Sequence, residues 1–335
     1  MDERLRSLQR DLALDSEAQL QYEALLARRG GRWWDHLEIL EPLADLGGAQ
    51  ARIFRARDRD TGALEAIRLY QLQPNRARRR ARLERTWALR RRLTHPTIPA
   101  VLGSGSGPSP LDGSPALYLR EEFVPGTWLE GELRGRGALS WREAAGLARQ
   151  VADGLAAIHA AGMAHRKIQP HTLLVAEGRP WFAGWSNLAA TPPTKSLVPD
   201  SCFYGTCYYA PPEALVGGGH GSAGDVFSLG VVLYELITGR RPFLGECSSE
   251  RIRRIREEPP PDPRLLAPDL PESLHALLHQ VLSKDPVQRP SAVLFATSLS
   301  AVLDGLPLPD GLPSANLSGI RPSRWRRLRD WLQGS

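Results

Sequence analysis

The apolar residues of this chain change their spacing part-way along, and that change limits the fold more than any other feature. From Leu37 to Leu72 apolar and polar residues alternate in three runs, Leu37 to Leu46, Ala51 to Arg57 and Leu64 to Tyr70, separated by the turn residues Gly47-Gly48 and Asp60-Thr61-Gly62. A period of two belongs to half-buried strands, and turns at these places make a meander. An arginine-rich helix follows, stopped near Leu93 by His95-Pro96. Two further strands are predicted, Ala100 to Leu102 and Leu117 to Phe123, with a Gly/Ser/Pro-rich loop over Gly103 to Pro115 between them. Beyond Gly126 the spacing lengthens to that of helices, over Trp141 to Ala161, Val226 to Thr238, Ser249 to Glu257, Pro271 to Leu282 and Ser291 to Leu303. The expected class is α+β, a small β-rich lobe with one main helix followed by a larger, mainly helical lobe.

The expected boundaries are 1–32 for an N-terminal helical extension, 33–122 and 123–305 for the two lobes, and 306–335 for a Pro/Gly-rich linker and basic tail. Leu5, Leu8, Leu12, Leu20 and Leu25 stand at roughly helical spacing in the extension, which breaks at Gly30-Gly31. The tail closes on Arg324 to Leu332, a short basic amphipathic stretch for which contact with an anionic membrane surface or a partner is the minor reading and docking on its own domain, or fraying, the main one.

At 335 residues and 42% apolar content the chain can build two cores, which excludes a disordered protein. Cys202, Cys207 and Cys247 are too few and too scattered for a disulfide framework or a zinc site, so a reducing, cytoplasmic setting is expected. The first thirty residues lack the apolar stretch of a signal peptide, and the longest apolar run, Val226 to Ile237, is too short to cross a bilayer. The net charge is +6, with arginines clustered at Arg76 to Arg85 and Arg90 to Arg92 and only three lysines, Lys167, Lys195 and Lys284. A solvated helix face in an arginine-biased chain accounts for that cluster better than nucleic acid does, so no nucleic-acid partner is expected.

Four local sequences narrow the fold. Gly162 to Val175 reads G-M-A-H-R-K-I-Q-P-H-T-L-L-V, Gly205 to Glu213 reads G-T-C-Y-Y-A-P-P-E, Gly224 to Leu236 reads G-D-V-F-S-L-G-V-V-L-Y-E-L, and Asp285 to Pro290 reads D-P-V-Q-R-P. In this order they resemble the catalytic loop, the end of the activation segment, the central C-lobe helix and a late C-lobe motif of eukaryotic-type (Hanks-type) Ser/Thr protein kinases, bacterial in style. The resemblance spans Leu37 to Leu303 and implies the bilobal protein kinase-like fold.

The resemblance implies that the framework is kept. Glu213 would pair with Arg289, and Asp225 would accept hydrogen bonds from the catalytic loop and hold His165 and Arg166. Trp185, at the family's phenylalanine position, would stack under His165 as part of a hydrophobic spine. Ile53, Ala66 and Leu174 would keep the aliphatic wall of an adenine slot.

It also implies that the charges of phosphoryl transfer are lost. The catalytic aspartate aligns with Lys167, a side chain of the wrong sign, and a positioned base is typically worth roughly 10²–10⁴-fold in rate. The magnesium ligands align with Thr172 and with Gly184, since D-F-G becomes Gly184-Trp185-Ser186. Magnesium is held through one or two carboxylates, and neither position offers one. The glycine-rich loop keeps only its middle glycine, Gly48, and the strand lysine of V-A-I-K becomes Arg68. Its helix glutamate falls at Thr86, and Glu84 sits about 200° away around the helix. Glu121 takes the gatekeeper position, where a carboxylate is costly unless paired, and Arg68 is the partner expected for it.

Three readings follow. A pseudokinase would bind a protein partner (a kinase, a sensor or an adaptor), with no cofactor expected. A Ser/Thr kinase of low activity would need a carboxylate to rescue the metal site, for which Asp200 is the nearby candidate. A nucleotide-binding switch would take ATP without magnesium and transfer nothing.

Overall fold

The computed structural model describes residues 33–34, 36–45, 52–71, 77–109, 113–185, 188–190, 207–245 and 247–312, and the chain divides into two compact units at Thr127/Trp128. The N-terminal extension, Gly48 with the rest of its loop, Ser186, Asp200, Thr206 and the basic tail lie outside the described residues.

In the first unit, strands β1 (Trp33–Trp34), β2 (Leu37–Asp45), β3 (Arg52–Asp58), β4 (Leu64–Gln71), β5 (Val101–Pro108) and β6 (Pro115–Glu122) form one antiparallel sheet in the order β1-β2-β3-β4-β6-β5. Helix α1 (Ala77–Arg90) lies between β4 and β5 in sequence. Successive side chains of a strand point to opposite faces, and the two faces of this sheet carry separate cores. Ile67, Leu69 and Ala116 join Leu37, Ile39, Phe54 and Ala56 on one. Tyr70, Leu117 and Leu119 pack with Leu83 and Trp87 of α1 on the other.

The loop predicted over Gly103 to Pro115 is corrected by the structure. Residues 103 to 108 continue β5 and pair with β6 from Arg120 to Pro115. A Gly/Ser-rich run carries little strand propensity of its own, so here a long partner strand decides. Gly105 also has a steric reason to be glycine, because a Cβ there would stand 2.5 Å from the Tyr118 hydroxyl on the paired residue.

A short strand β7 (Thr127–Trp128) stands at the boundary, and the second unit is mainly helical: α2 (Leu129–Arg136), α3 (Trp141–Ala160), α4 (Pro212–Leu215), α5 (Ser222–Thr238), α6 (Ser248–Glu257), α7 (Glu272–Val281) and α8 (Ala292–Leu303). Ser140 caps α3 by accepting from the Glu143 amide, and Ser291 caps α8 by accepting from Leu294. Helix α5 is buried from Gly224 through Thr238, which explains an apolar run without amphipathic period, and it ends on Gly239 at φ 69°. The pairs β8 (Met163–Ala164) with β11 (Ala189–Ala190) and β9 (Leu173–Ala176) with β10 (Arg179–Phe182) flank the catalytic-loop segment, and both were missed in the sequence because strands of two to four residues show no period.

Candidate functional site

In the first unit the side chains singled out from the sequence sit on β3, β4 and β6. Ile53 is buried opposite Arg68, and half-buried Ala66 lies opposite Glu121. Arg68, Tyr70, Leu117, Leu119 and Glu121 alternate onto the face that α1 covers, so the strand period itself delivers a cation and a carboxylate to an apolar interface. Arg68 Nε donates to Glu121 Oε2 there, with the two residues 6% and 1% exposed.

A third member was not foreseen. Arg90, at the end of α1 and fully buried, reaches Glu121 Oε1 at 3.4 Å and donates to the carbonyl of Pro99. Thr86, where a helix carboxylate was sought, is buried one turn before Arg90 and turns its hydroxyl to the Arg82 carbonyl. Glu84 is no substitute, since its side chain is 49% exposed and pairs with Arg80. The ion pair therefore runs between strands and draws in the helix end, with its carboxylate on β6.

Two guanidiniums thus share one carboxylate. Burial pulls Arg68 down, but Glu121 and Tyr70 more than offset it and leave its affinity for the proton above the ordinary value. Burial pulls Arg90 down to about 10, with Arg68 adding repulsion and Glu121 opposing. The opposite face of the same sheet repeats the chemistry, where Arg120 bridges Glu65 at 2.6 Å and Asp58 at 2.8 Å.

In the second unit the catalytic-loop segment hangs from α5. Asp225, fully buried, accepts from the backbone amides of His165 at 2.8 Å and Arg166 at 2.7 Å. Arg166 is one of two non-glycine residues of positive φ among the described residues, at 62°, and these bonds hold that conformation. Two further groups on Asp225 escaped the sequence reading: His159 Nε2 at 3.0 Å and His220 Nε2 at 3.2 Å. Burial raises the Asp225 carboxyl, and the hydrogen bond of His159 with the close approach of the His220 imidazole more than reverses this, so it stays ionised. A Cβ on Gly224 would stand 2.5 Å from His220 Cδ2, so glycine there is what admits the imidazole.

His165, Phe182 and Trp185 form a buried aromatic trio with centroids 5.1 to 5.7 Å apart. Trp185 meets His165 edge-on at 66° and is not stacked beneath it. Glu213 and Arg289 make the bidentate pair expected of them, at 2.8 and 2.9 Å. Leu174 is half-buried on β9, opposite Trp181.

The three positions that should carry the chemistry lie together in this segment. Lys167 is partly buried, and burial lowers its ammonium below the usual lysine range. The neighbouring His171 is brought down to about 4, first by burial and then by the Lys167 charge. Thr172 turns its hydroxyl inward, 2.7 Å from the Lys167 carbonyl and 2.9 Å from that of Gln169. Its carbonyl accepts from the amides of Ala183 and Gly184, which brings the two strands of the segment together. A Cβ built on Gly184 would lie 2.4 Å from Thr172 Cγ2 and 2.6 Å from Thr172 Cβ. The threonine side chain thus fills the space into which any side chain at 184 would project.

The model of the protein kinase domain matches residues 41–299. The chain belongs to the protein kinase family. Its relatives place it among the bacterial Hanks-type Ser/Thr kinases. It is 31% identical over 264 residues to serine/threonine-protein kinase PknA of Mycobacterium tuberculosis, covering 77% of this chain and 59% of that protein. To serine/threonine-protein kinase PkaA of Streptomyces coelicolor it is 33% identical over 284 residues, 79% and 50% of the two chains. PrkC of Bacillus subtilis is 28% identical over 248 residues, 72% and 37%. The match thus spans about half the length of these curated relatives. Among the described residues no helix is long and apolar enough to cross a membrane, and no cluster of three or more His, Cys, Asp or Glu side chains is placed to hold a metal ion.

Proposed function

We propose that this chain is a pseudokinase, a kinase-fold protein that binds a protein partner in cytoplasmic Ser/Thr kinase signalling and does not transfer phosphate. The observation that carries the reading is the contact of Thr172 with Gly184. In the family these two positions hold magnesium through an amide and a carboxylate; here neither side chain is anionic, and the threonine methyl occupies the room a restored carboxylate would need. The residues present do not fit a magnesium ion, and Lys167 puts an amine where a base should accept the substrate proton.

The Arg68–Glu121–Arg90 cluster supports the same conclusion from the first unit. The strand cation, which in the family meets nucleotide phosphate, is committed to a buried carboxylate that would be left facing other groups if it moved. The cluster also ties the end of α1 to β6 without any ligand. A fixed helix suits a protein whose output is a surface, with a kinase, sensor or adaptor as the partner class.

A second reading, a weakly active Ser/Thr kinase, is favoured by the names of the relatives. Thermal melts of the purified chain with ATP, with and without magnesium, separate the readings. The pseudokinase reading expects no shift in either. A shift of several degrees without magnesium would make the chain a nucleotide switch, and one that requires magnesium would favour the enzyme.

A further inference from the structure

The arginines of α6 divide by face. Arg253 and Arg254 pair with Glu258 and Glu250 at 2.8 and 2.6 Å, whereas Arg251 turns inward and is 8% exposed. Among the described residues it meets no carboxylate. Its Nε is buried without a hydrogen bond, and its Nη1 donates to the Cys207 thiol at 3.6 Å, a weak acceptor. Glu250 beside it is held by Arg254, and Glu235 accepts from Arg241 at 3.0 Å and from the Tyr209 hydroxyl at 2.5 Å. A guanidinium withdrawn from water without a counter-ion destabilises the chain that carries it.

The surroundings of this charge are built around it. The Arg251 guanidinium lies 3.9 Å from the centroid of the Tyr208 ring, and that of Arg241 lies 4.2 Å from the same centroid. One face of a phenol ring has no room for two guanidiniums, so the ring is held between them. Gly245 lets the loop before α6 close onto the Arg251 backbone, where a Cβ would stand 2.7 Å from the Arg251 amide nitrogen. The ring face offsets part of the charge, but it offers no acceptor in the plane of the fork, where Nε stays unused. A planar fork with an unused donor suits a carboxylate or a phosphate. We propose that Arg251 receives one anionic side chain, a carboxylate or a phosphomonoester, presented by a peptide segment of the protein partner, with Tyr208 as a wall of the pocket. An arginine more than nine-tenths buried is out of reach of a flat anionic surface, and the tip of a single side chain can enter. The choice of a protein as carrier rests on the pseudokinase reading; the preference for an anion does not.

Thermal melts of the purified full chain, without nucleotide, read the site. The probes are blocked pentapeptides Ala-Ala-X-Ala-Ala, with X phosphoserine, glutamate or serine, at millimolar concentration and matched ionic strength. The phosphoserine or the glutamate peptide should raise the melting temperature, and the serine peptide should not. A rise with phosphoserine alone identifies a phosphorylated partner, and a rise with glutamate an acidic one. Arg251→Met should weaken the apparent affinity about tenfold and should itself melt no lower than the unaltered chain, since an unpaired buried charge is gone. If it melts lower, the Arg251 Nε–H resonance of the unaltered chain, assigned with Arg251→Lys, decides: it should move with the anionic peptides and stay with serine. The proposal is overturned if no peptide raises the melting temperature, if the rise survives in Arg251→Met, or if inorganic phosphate alone gives an equal rise. With nucleotide absent, a negative result leaves the pseudokinase reading standing, and transfer of label from ATP would overturn that reading without touching the anion site.

Discussion

Glu121 is the residue on which the first unit turns. A lone carboxylate on the apolar face of β6 would be strongly destabilising, and it is tolerated because Arg68 and Arg90 converge on it from β4 and α1. Replacing it with alanine leaves two buried guanidiniums without the carboxylate they share. Glu121→Ala is therefore expected to cost on the order of 3–5 kcal/mol, seen as a lowered midpoint of urea unfolding; an unchanged midpoint would mean the cluster holds nothing. The pairing with Arg68 was legible because both anomalies fall on alternate positions of recognisable strands. Arg90 was not, since one buried arginine looks like the seven others of residues 77–92. Gly184 and Thr172 differ again: each substitution was visible, but that one side chain fills the other's space requires the backbone bonds between residues 172 and 183–184.

Among the elements, α5 organises the second unit. Its sequence announced a buried helix, and its aspartate was recognisable from the surrounding motif. His159 and His220 were not, because His159 stands 66 positions before Asp225 with no periodicity that links them. The four groups on Asp225 divide between its two oxygens, so the carboxylate joins the end of α3, the catalytic-loop backbone and the turn before α5. Asp225→Ala is expected to lose several kcal/mol of stability. Amide hydrogen exchange at His165 and Arg166 should rise more than exchange within α8, whereas a uniform rise would show that the aspartate does not anchor the loop. The β5–β6 hairpin teaches the reverse lesson: composition marked residues 103–108 as loop, and long-range pairing made them strand.

For the whole molecule, the kinase fold was legible because its motifs are order-specific, while the reading of its function depends on what those motifs lack. Stability should carry a signature of the retained but rearranged charges. Lys284 donates to the Ile255 carbonyl at 2.6 Å and lies 3.8 Å over the Phe243 ring. Burial, and then Arg289, lower its ammonium from 10.5 to about 7. Below pH 7 both folded and unfolded chains carry its proton. Between pH 7 and about 9 the unfolded chain binds more protons, so stability rises with pH through that window, on the order of 1 kcal/mol per pH unit. Lys167, also lowered by burial, adds in the same direction. Urea unfolding at pH 7 and pH 9 should show the rise, and Lys284→Met should remove most of it; a flat or falling profile in the unaltered chain would contradict the assignment.

The central claim is that the second unit cannot hold the metal on which phosphoryl transfer depends. Incubation of the purified chain with γ-labelled ATP and a basic protein acceptor, with and without magnesium, tests it most directly. Label should stay in the nucleotide under both conditions, in the chain itself as well as the acceptor. Magnesium-dependent incorporation at a rate ordinary for a Ser/Thr kinase would contradict it.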